Sequence, residues 1–270
     1  MTPPRYAAEL GLALDAAARA GELLQGLVDR LERIEHKSAK DVVTEADHAS
    51  EALILGAIRA AFPGDALLAE ETGSHDARDG AVATSGTGRV WVVDPLDGTV
   101  NYANGLPYYC VSIALVEDGS PVVGVVRDPV RGEVYAATAD GPATRDARVI
   151  RASGKDRLGD LVVSVSLGGG KALTRARAVR RAVRVSRSMG AAALALAYVA
   201  DGRFDAFAQQ GGLSTWDVAA AGLIAERAGA IVTELDGGPW FDIARPTRAM
   251  GLLAAPAAHH GELRRLATGG

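Results

Sequence analysis

The most informative part of the sequence is WVVDPLDGTVNY, which occupies residues 91–102. Residues 90–93 are all apolar and have the composition of a short buried strand. Two aspartates, Asp94 and Asp97, follow three residues apart across a proline-containing segment that we interpret as a turn. That spacing lets both carboxylates face one point, with the Leu96 carbonyl as a neutral third ligand. Hard oxygen ligands of this kind suit Mg²⁺, so the segment is a candidate metal site.

Acidic residues also stand where three other predicted elements begin or end. Asp47 lies three residues after Thr44 at the start of a predicted helix, and Asp217 opens another helix. Glu70 and Glu71 follow a short apolar strand. Each residue alone has an ordinary explanation as a helix cap, a turn residue or a solvated strand end. Their occurrence together favours a site in which carboxylates from different elements hold a pair of Mg²⁺ ions.

The hydrophobic pattern divides the chain into two halves of different architecture. Residues 1–145 are predicted to form two helices against a largely antiparallel sheet, which is an α+β arrangement. Residues 146–270 alternate between strands and helices, which is an α/β arrangement, and the metal site is expected between the halves. The polar residues 36–41 are interpreted as a loop. The predicted helices cover residues 6–31, 44–61, 174–182, 191–200, 216–228 and 260–267, and the predicted strands cover residues 66–69, 90–93, 111–116, 122–127, 133–138, 161–165, 183–186, 204–208, 231–235 and 251–255.

Composition narrows the class of protein. The chain has 270 residues, of which 48% are hydrophobic, so it can bury a sizeable core. Its net charge of −4 does not favour binding to nucleic acid. Cys110 is the only cysteine, which excludes a disulfide within the chain and fits a cytoplasmic location. No stretch is long and apolar enough to predict a membrane span. Together with the net charge, this leads us to expect neither a nucleic-acid nor a membrane partner.

Three further features are assigned structural roles. Cys110 heads an apolar strand and is expected to be a buried thiol. His259 and His260 are expected to be a solvated pair in a polar turn. A basic run is interpreted as the solvated face of a helix, and its members are Arg175, Arg177, Arg180, Arg181 and Arg184.

Four blocks of sequence, in this order, resemble the inositol monophosphatase family. Besides residues 91–102, they are DVVTEAD at residues 41–47, AEETG at residues 69–73, and WDVAAA at residues 216–221, which continues to ERAG at residues 226–229. The resemblance covers nearly the whole chain, and four ordered blocks are far more specific than a single glycine-rich motif. It implies a layered αβαβα sandwich that forms a homodimer. It also implies a Mg²⁺-dependent phosphoric monoester hydrolase of the lithium-sensitive type.

The resemblance implies which residues hold the metal ions. Glu70, Asp94 and the Leu96 carbonyl would bind a first Mg²⁺ ion. Asp94, Asp97 and Asp217 would bind a second, so that Asp94 is shared. A third, weaker ion would lie near Glu70. The expected cofactor is therefore two to three Mg²⁺ ions.

The resemblance also implies catalytic and substrate-binding roles. Asp47 and Thr99 would orient the attacking water and help to deprotonate it, and Glu70 completes the catalytic set. Gly98 and Thr99 open a turn or helix whose free N–H groups could hold a phosphate. The residues implied to contact the phosphorylated substrate are Lys37, Gly98, Thr99, Gly190, Ala191, Ala192, Gln210 and Asp217.

One departure from the family pattern concerns the choice of substrate. Inositol enzymes of the family usually carry a glutamate seven residues before the metal-binding aspartate, and Gln210 stands there in this chain. An amide accepts a hydrogen bond without carrying charge, so we expect hydrolysis of inositol-1-phosphate or of several related sugar and polyol phosphates. The alternative substrates are fructose 1,6-bisphosphate, histidinol phosphate and a 3'-phosphonucleotide. A non-catalytic regulatory homologue is a further alternative, against which the intact set of ligand residues argues.

Overall fold

The structure is a computed structural model, and it describes residues 5–28, 34–38, 41–75, 88–245 and 250–270. The helices are α1 (Ala7–Leu27), α2 (Glu45–Ala61), α3 (Thr99–Ala103), α4 (Ala172–Ala182), α5 (Ala192–Ala200), α6 (Thr215–Arg227) and α7 (Ala257–Thr268). The strands are β1 (Ile34–Ser38), β2 (Asp41–Thr44), β3 (Ala66–Ala69), β4 (Gly73–His75), β5 (Arg89–Asp97), β6 (Cys110–Glu117), β7 (Ser120–Asp128), β8 (Glu133–Thr138), β9 (Thr144–Arg145), β10 (Arg148–Val149), β11 (Val162–Leu167), β12 (Val185–Arg187), β13 (Ala206–Leu213), β14 (Ile231–Thr233) and β15 (Met250–Ala255). None of the helices in these ranges is long and apolar enough to cross a lipid bilayer.

Two large sheets alternate with three helical layers. The first sheet has the strand order β10-β9-β8-β7-β6-β5-β3-β4, and the second has the order β12-β11-β13-β15-β14. Helices α1 and α2 cover the outer face of the first sheet, and α5 and α6 lie between the sheets. Helices α4 and α7 cover the outer face of the second sheet. This arrangement is the predicted αβαβα sandwich, which is therefore confirmed.

Strand β5 is buried on both of its faces. Trp91 and Val93 pack in the apolar cluster beneath α1 and α2, whereas Val90 and Val92 pack in the cluster around α5 and α6. Successive side chains of a strand point to opposite faces, so a strand between two helical layers needs an unbroken apolar run. The strand ends at Asp94–Asp97, which places those carboxylates at the edge of the central layers.

Most predicted elements are present with shifted ends, but two local predictions are wrong. The segment 36–41 is predicted to be a loop, but residues 36–38 belong to β1 and Asp41 to β2, while residues 39–40 lie outside the described residues. The two strands pair in antiparallel fashion, with Ile34 opposite Thr44. The residues between Asp94 and Asp97 belong to β5 rather than to a turn. The pairing register with β6 shifts there, as in a β-bulge, which accommodates a proline that has no N–H to donate.

Two of the structural assignments for polar side chains are also wrong. His259 is buried, and its Nε2 lies 2.8 Å from the Lys155 carbonyl, while His260 Nε2 lies 3.0 Å from Thr233 Oγ1. In the basic run only Arg175 departs from the prediction, because it is buried, whereas the other four members are exposed as predicted: Arg177, Arg180, Arg181 and Arg184. The prediction that Cys110 is a buried thiol is confirmed.

The division of the chain at residue 145 remains a prediction. The first sheet continues past that residue to β10, and α5 and α6 from the second half pack on the first sheet. The middle helical layer therefore joins the two halves.

Gly124 on β7 packs directly against the backbone of α6. A Cβ atom at this position would lie 2.6 Å from the Ala220 carbonyl oxygen and 3.0 Å from its Cα. Because both atoms belong to a helix backbone, Gly124→Ala should lower the free energy of unfolding by ~1–3 kcal/mol, the usual cost of overpacking. Urea titration would measure this change. Gly56→Ala is the control, because a Cβ added at this position would meet nothing within 4 Å, and the change should stabilise α2. Equal stability of the two variants would contradict the packing argument.

Candidate metal centre

Three aspartates from two elements form one cluster. Asp94 and Asp97 come from the bulge of β5, and Asp217 comes from the first turn of α6. One carboxylate oxygen from each lies within 4.8 Å of the others. Asp94 and Asp97 are buried, and Asp217 is half-buried. The bulge brings the first two carboxylates together, and the helix start supplies the third.

The cluster concentrates negative charge at the base of a cavity, with two of its three carboxylates buried. Burial raises the pKa of Asp94 well above its usual range, and the nearby charges of Glu70, Asp97 and Asp217 raise it further. Burial also raises the pKa of Asp97 to about 6, although three backbone N–H groups of α5 work in the opposite direction. Such a site is electrostatically incomplete without a cation.

Asp47 and Asp217 are oriented by the same local device, a capping box at the start of a helix. In α2, Asp47 Oδ2 accepts hydrogen bonds from Thr44 N at 2.8 Å and from Thr44 Oγ1 at 2.6 Å. In α6, Asp217 Oδ2 accepts a hydrogen bond from Ser214 N. Each box occupies one carboxylate oxygen and fixes the direction of the other.

Thr99 connects the start of α2 to the bulge of β5. Its Oγ1 lies 2.9 Å from Asp47 Oδ1 and 3.0 Å from the Leu96 carbonyl oxygen. The hydroxyl carries one proton, so it donates to one of these acceptors at a time. A water molecule that donates to Thr99 Oγ1 would therefore have a proton path to the buried Asp47 carboxylate.

Asp97 meets the start of α5. Its Oδ1 accepts from Ala192 N at 3.0 Å, and its Oδ2 accepts from Ala193 N at 2.8 Å and from Leu194 N at 3.3 Å. These contacts hold the beginning of the helix against the cluster. They also explain why this carboxylate is less strongly perturbed than Asp94.

A cavity of about 600 Å³ opens in front of the cluster, within the usual range for small-molecule sites. The predicted site residues that line it are Glu70, Asp94, Leu96, Asp97, Gly98, Thr99, Gly190, Ala191, Ala192 and Asp217. Asp47 is fully buried and reaches this set through Thr99. Lys37 lies on β1, and its side chain falls outside the described residues. Gln210 is not among the lining residues; its Oε1 accepts a hydrogen bond from Arg175 Nη1.

The wall opposite the carboxylates contains residues that the sequence did not single out. Ser164 and Ser166 on β11 and Phe207 and Gln209 on β13 all line the cavity. The two strands are parallel, and their register pairs Ser164 with Phe207 and Ser166 with Gln209, so these side chains share one face of the second sheet. Ser164 and Ser166 alternate with apolar residues along β11, and this alternation was the sequence signal that could have identified them as facing a cavity. The choice between Gln209 and Gln210 depends on register, which composition does not reveal.

The chemistry of the donors fits Mg²⁺. Within the part of the chain that the structure describes, the one cluster with metal-ligand spacing consists of carboxylates and contains no histidine or cysteine. Mg²⁺ prefers hard oxygen ligands and retains several waters, for which a half-open cavity leaves room. Cys110 Sγ lies 3.6 Å from Asp97 Oδ2, but burial raises the pKa of this thiol and keeps it protonated.

Comparisons with known proteins agree with this geometry. A sequence model of the inositol monophosphatase family matches residues 8–268. The chain is 38% identical over 242 residues to Nus factor SuhB of Pseudomonas aeruginosa, covering 86% of this chain and 87% of that protein. It is 37% identical over 238 residues to an inositol-1-monophosphatase of Mesorhizobium japonicum, covering 85% and 86%. The crystal structure of extragenic suppressor protein suhB from Bartonella henselae matches with a TM-score of 0.87 and 33% identity, covering 98% of this chain and 100% of that chain.

Sequence and fold thus point to one family. The family model spans nearly the whole chain, and the solved neighbour shares its layers. The family consists of phosphatases that act on small phosphorylated substrates and in general depend on Mg²⁺. The chain belongs to the inositol monophosphatase family.

Proposed function

We propose that this chain is a Mg²⁺-dependent phosphomonoester hydrolase that acts on inositol-1-phosphate or a related small sugar or polyol phosphate. The observation that carries the proposal is one cavity that combines the cluster of Asp94, Asp97 and Asp217 with the Thr99–Asp47 pair. A metal cluster alone would fit many roles. Its combination with a proton acceptor and a large open cavity fits hydrolysis.

Glu70, Asp94, the Leu96 carbonyl, Asp97 and Asp217 are the residues that would hold two to three Mg²⁺ ions. When bound, Mg²⁺ supplies Lewis-acid chemistry: it acidifies water, neutralises the phosphate and stabilises the leaving alkoxide. Asp94 is the best candidate for a shared ligand, because Glu70, Asp97 and Asp217 all act on its charge. Backbone N–H groups already orient the three aspartates, since Leu96 N donates to Asp94, Ala192 N to Asp97 and Ser214 N to Asp217.

Thr99 and Asp47 would position the attacking water and take up its proton. Asp47 Oδ2 is occupied by Thr44, so Oδ1 is the oxygen that faces Thr99. As the water loses its proton to Thr99, the threonine proton can pass to Asp47. This relay needs no rearrangement of the backbone.

The phosphate and the alcohol of the substrate would occupy opposite parts of the cavity. Gly98 and Thr99 border the carboxylates, and their position at the start of α3 suits the phosphate. Gly190, Ala191 and Ala192 line the cavity and would lie beside the alcohol, although the Ala192 N–H is already donated to Asp97. Gln210 meets Arg175 instead, so any effect of Gln210 on the substrate would pass through that contact.

Two alternatives remain open to test. The same chemistry would serve fructose 1,6-bisphosphate, histidinol phosphate or a 3'-phosphonucleotide. A regulatory role is suggested by the name of the relative from Pseudomonas aeruginosa, a Nus factor. The complete set of carboxylates and the Thr99–Asp47 pair favour catalysis, since a purely regulatory homologue has no need of them. The cytoplasmic homodimer remains an expectation from the family resemblance.

The deciding experiment measures phosphate release from a panel of esters in the presence of Mg²⁺. The panel contains inositol-1-phosphate, glycerol-2-phosphate, fructose 1,6-bisphosphate, histidinol phosphate and a 3'-phosphonucleotide. We expect turnover of inositol-1-phosphate and of glycerol-2-phosphate. Turnover of one of the last three alone would select an alternative substrate, and no turnover of any ester would favour the regulatory role.

Replacing Thr99 by alanine should slow turnover far more than it weakens Mg²⁺ binding. Thr99 contacts Asp47 and the Leu96 carbonyl through its hydroxyl and contributes no carboxylate to the cluster. Positioning by a general acid–base group is worth ~10²–10⁴-fold in rate, so kcat should fall within that range. Thr99→Ser keeps the hydroxyl and is the control. A loss of metal affinity as large as the loss of kcat would contradict this separation of roles.

A further inference from the structure

Arg175 differs from the other arginines of α4. It is 8% exposed, whereas Arg177, Arg180 and Arg181 on the same helix are exposed. Among the ion pairs of the described residues, none involves Arg175, although a buried guanidinium normally has a carboxylate partner. Because burying a positive charge without a carboxylate partner is unfavourable, we expect Arg175 to have a role other than ion pairing.

The guanidinium of Arg175 joins three separate parts of the second half. Its Nη2 donates to the Gly168 carbonyl at 2.5 Å and to the Gly170 carbonyl at 3.1 Å. Its Nη1 donates to Gln210 Oε1 and to the Ala267 carbonyl at 3.3 Å. All four acceptors are neutral, and Nε has no hydrogen-bond partner among the described residues. We call Arg175, Gln210 and the two glycine carbonyls the Arg175 clasp.

The clasp lies directly behind the part of β13 that lines the cavity. Gln209 and Gly212 both line the cavity. Gln209 directly precedes Gln210, and Gly212 follows it by two residues. After Gln210 the chain passes through Gly211 at φ 72° and Gly212 at φ 74°, where the register with β15 shifts. Two consecutive left-handed residues are a flexible point, because glycine has little preference for one backbone conformation. Gln210, which also accepts from Gly168 N at 3.3 Å, is the last residue anchored before this point.

We propose that Arg175 is a positioning residue that sets the shape of the alcohol-binding side of the cavity through Gln210. This inference rests on the proposed hydrolase function and concerns how that site selects bulky substrates. The clasp holds Gln209 and Gly212 at the cavity wall. A polyol large enough to reach this wall depends on it, whereas the phosphate does not.

The metal end of the cavity has independent supports. Asp94 and Asp97 are carried by the first sheet, and Asp97 is tied to the start of α5. Asp217 is held by its own capping box with Ser214. Loss of the clasp should therefore weaken binding of the alcohol and leave the chemical step nearly unchanged.

The test compares Arg175→Met and Arg175→Lys with wild type. Lysine keeps the charge but offers its donors from one point, so it cannot bridge acceptors on three segments. For inositol-1-phosphate we expect KM to rise ~10-fold or more, the equivalent of one hydrogen bond to a charged group, with kcat within about twofold. For methyl phosphate, which has no polyol, both constants should stay unchanged, and so should inhibition by inorganic phosphate.

Two further variants test whether Arg175 acts through Gln210. Gln210→Ala should reproduce the Arg175→Met phenotype, and the double variant should be no worse than either single one. Arg177→Met is the matched control on the exposed face of α4 and should change nothing. A parallel fall of kcat for inositol-1-phosphate and methyl phosphate would overturn the proposal, since it would mean that Arg175 supports the catalytic end.

Hydrogen exchange separates this proposal from the proposed function. In Arg175→Lys, the amides of residues 168–171 and 209–213 should exchange faster, while those of β5 and α6 should keep their wild-type rates. Unchanged exchange in both segments would overturn the clasp even if the enzyme is active. If wild type hydrolyses no ester, the hydrolase proposal fails, and faster local exchange would still establish the clasp.

Discussion

Asp94→Asn is expected to abolish hydrolysis while the protein remains folded. Burial and the neighbouring charges raise the pKa of Asp94 well above its usual range, and Asp94 is the candidate ligand shared between ions. Asparagine keeps the size of the side chain but removes the charge, so metal affinity, phosphate neutralisation and water activation all suffer. Removing a single electrostatic group at a transition state costs ~10²–10³-fold, and we expect a loss of at least ~10³-fold in kcat/KM because several roles are lost together.

The same substitution should stabilise the metal-free protein. Burial and the charges of Glu70, Asp97 and Asp217 raise the pKa of Asp94 in the folded state above its unfolded value. A raised folded pKa favours the folded state at low pH, and this contribution is lost as the pH rises through the folded pKa. Above the unfolded-state pKa, folding without metal must either bury an ionised Asp94 or take up a proton, so Asp94 opposes folding and Asn relieves this cost. The Tm of the metal-free variant should exceed that of metal-free wild type, and the difference should shrink as the pH is lowered.

Asp205→Asn provides the control for burial alone. Asp205 is fully buried like Asp94, but its Oδ2 accepts from Lys155 Nζ at 2.7 Å and from Val162 N at 2.6 Å. Its replacement breaks an ion pair, so it should lower the Tm and leave kcat unchanged. Substantial turnover by Asp94→Asn, or a lower Tm of its metal-free form, would show that the charge cluster does not act as described.

Removal of Mg²⁺ should eliminate turnover completely. The cluster offers carboxylate oxygens that cannot by themselves neutralise a phosphate, and its own negative charge repels one. A chelator should reduce phosphate release to the uncatalysed rate, and excess Mg²⁺ should restore it. Hydrolysis that persists in full chelation would contradict the metal-dependent mechanism.

Binding of Mg²⁺ should also be visible without substrate. A ligand that binds only the folded state raises the Tm in proportion to the logarithm of its concentration above Kd. Mg²⁺ should therefore raise the Tm of wild type and have a much smaller effect on Asp94→Asn. KCl at matched ionic strength, rather than at equal concentration, is the control, because ionic strength screens the same repulsion non-specifically. Equal shifts with both salts would indicate screening instead of a bound ion.

Much of the site could be predicted from sequence because its parts are local. The capping boxes of Thr44–Asp47 and Ser214–Asp217 depend on residues three positions apart, so their geometry follows once a helix starts there. The apolar run before Asp94 identifies a buried strand by composition alone. The spacing of Asp94 and Asp97 likewise brings two carboxylates together whether the connecting segment is a turn or, as found, a bulge.

Only the tertiary structure decided which neighbouring side chain faces the cavity and which basic residue is buried. A shift of one position moves a strand residue to the opposite face, so the roles of Gln209 and Gln210 depend on the pairing of β13 with β11. By sequence Arg175 belongs to a basic helix face. In the structure it contacts Gly168 from a loop, Gln210 from β13 and Ala267 from α7. The sequence by itself identified most helices and strands and the aspartates that cluster, because strand burial and helix capping act over a few residues, and the layered sandwich was predicted from the family resemblance. The wall opposite the metal site was decided by long-range packing, because strand register and the burial of a charge depend on distant segments.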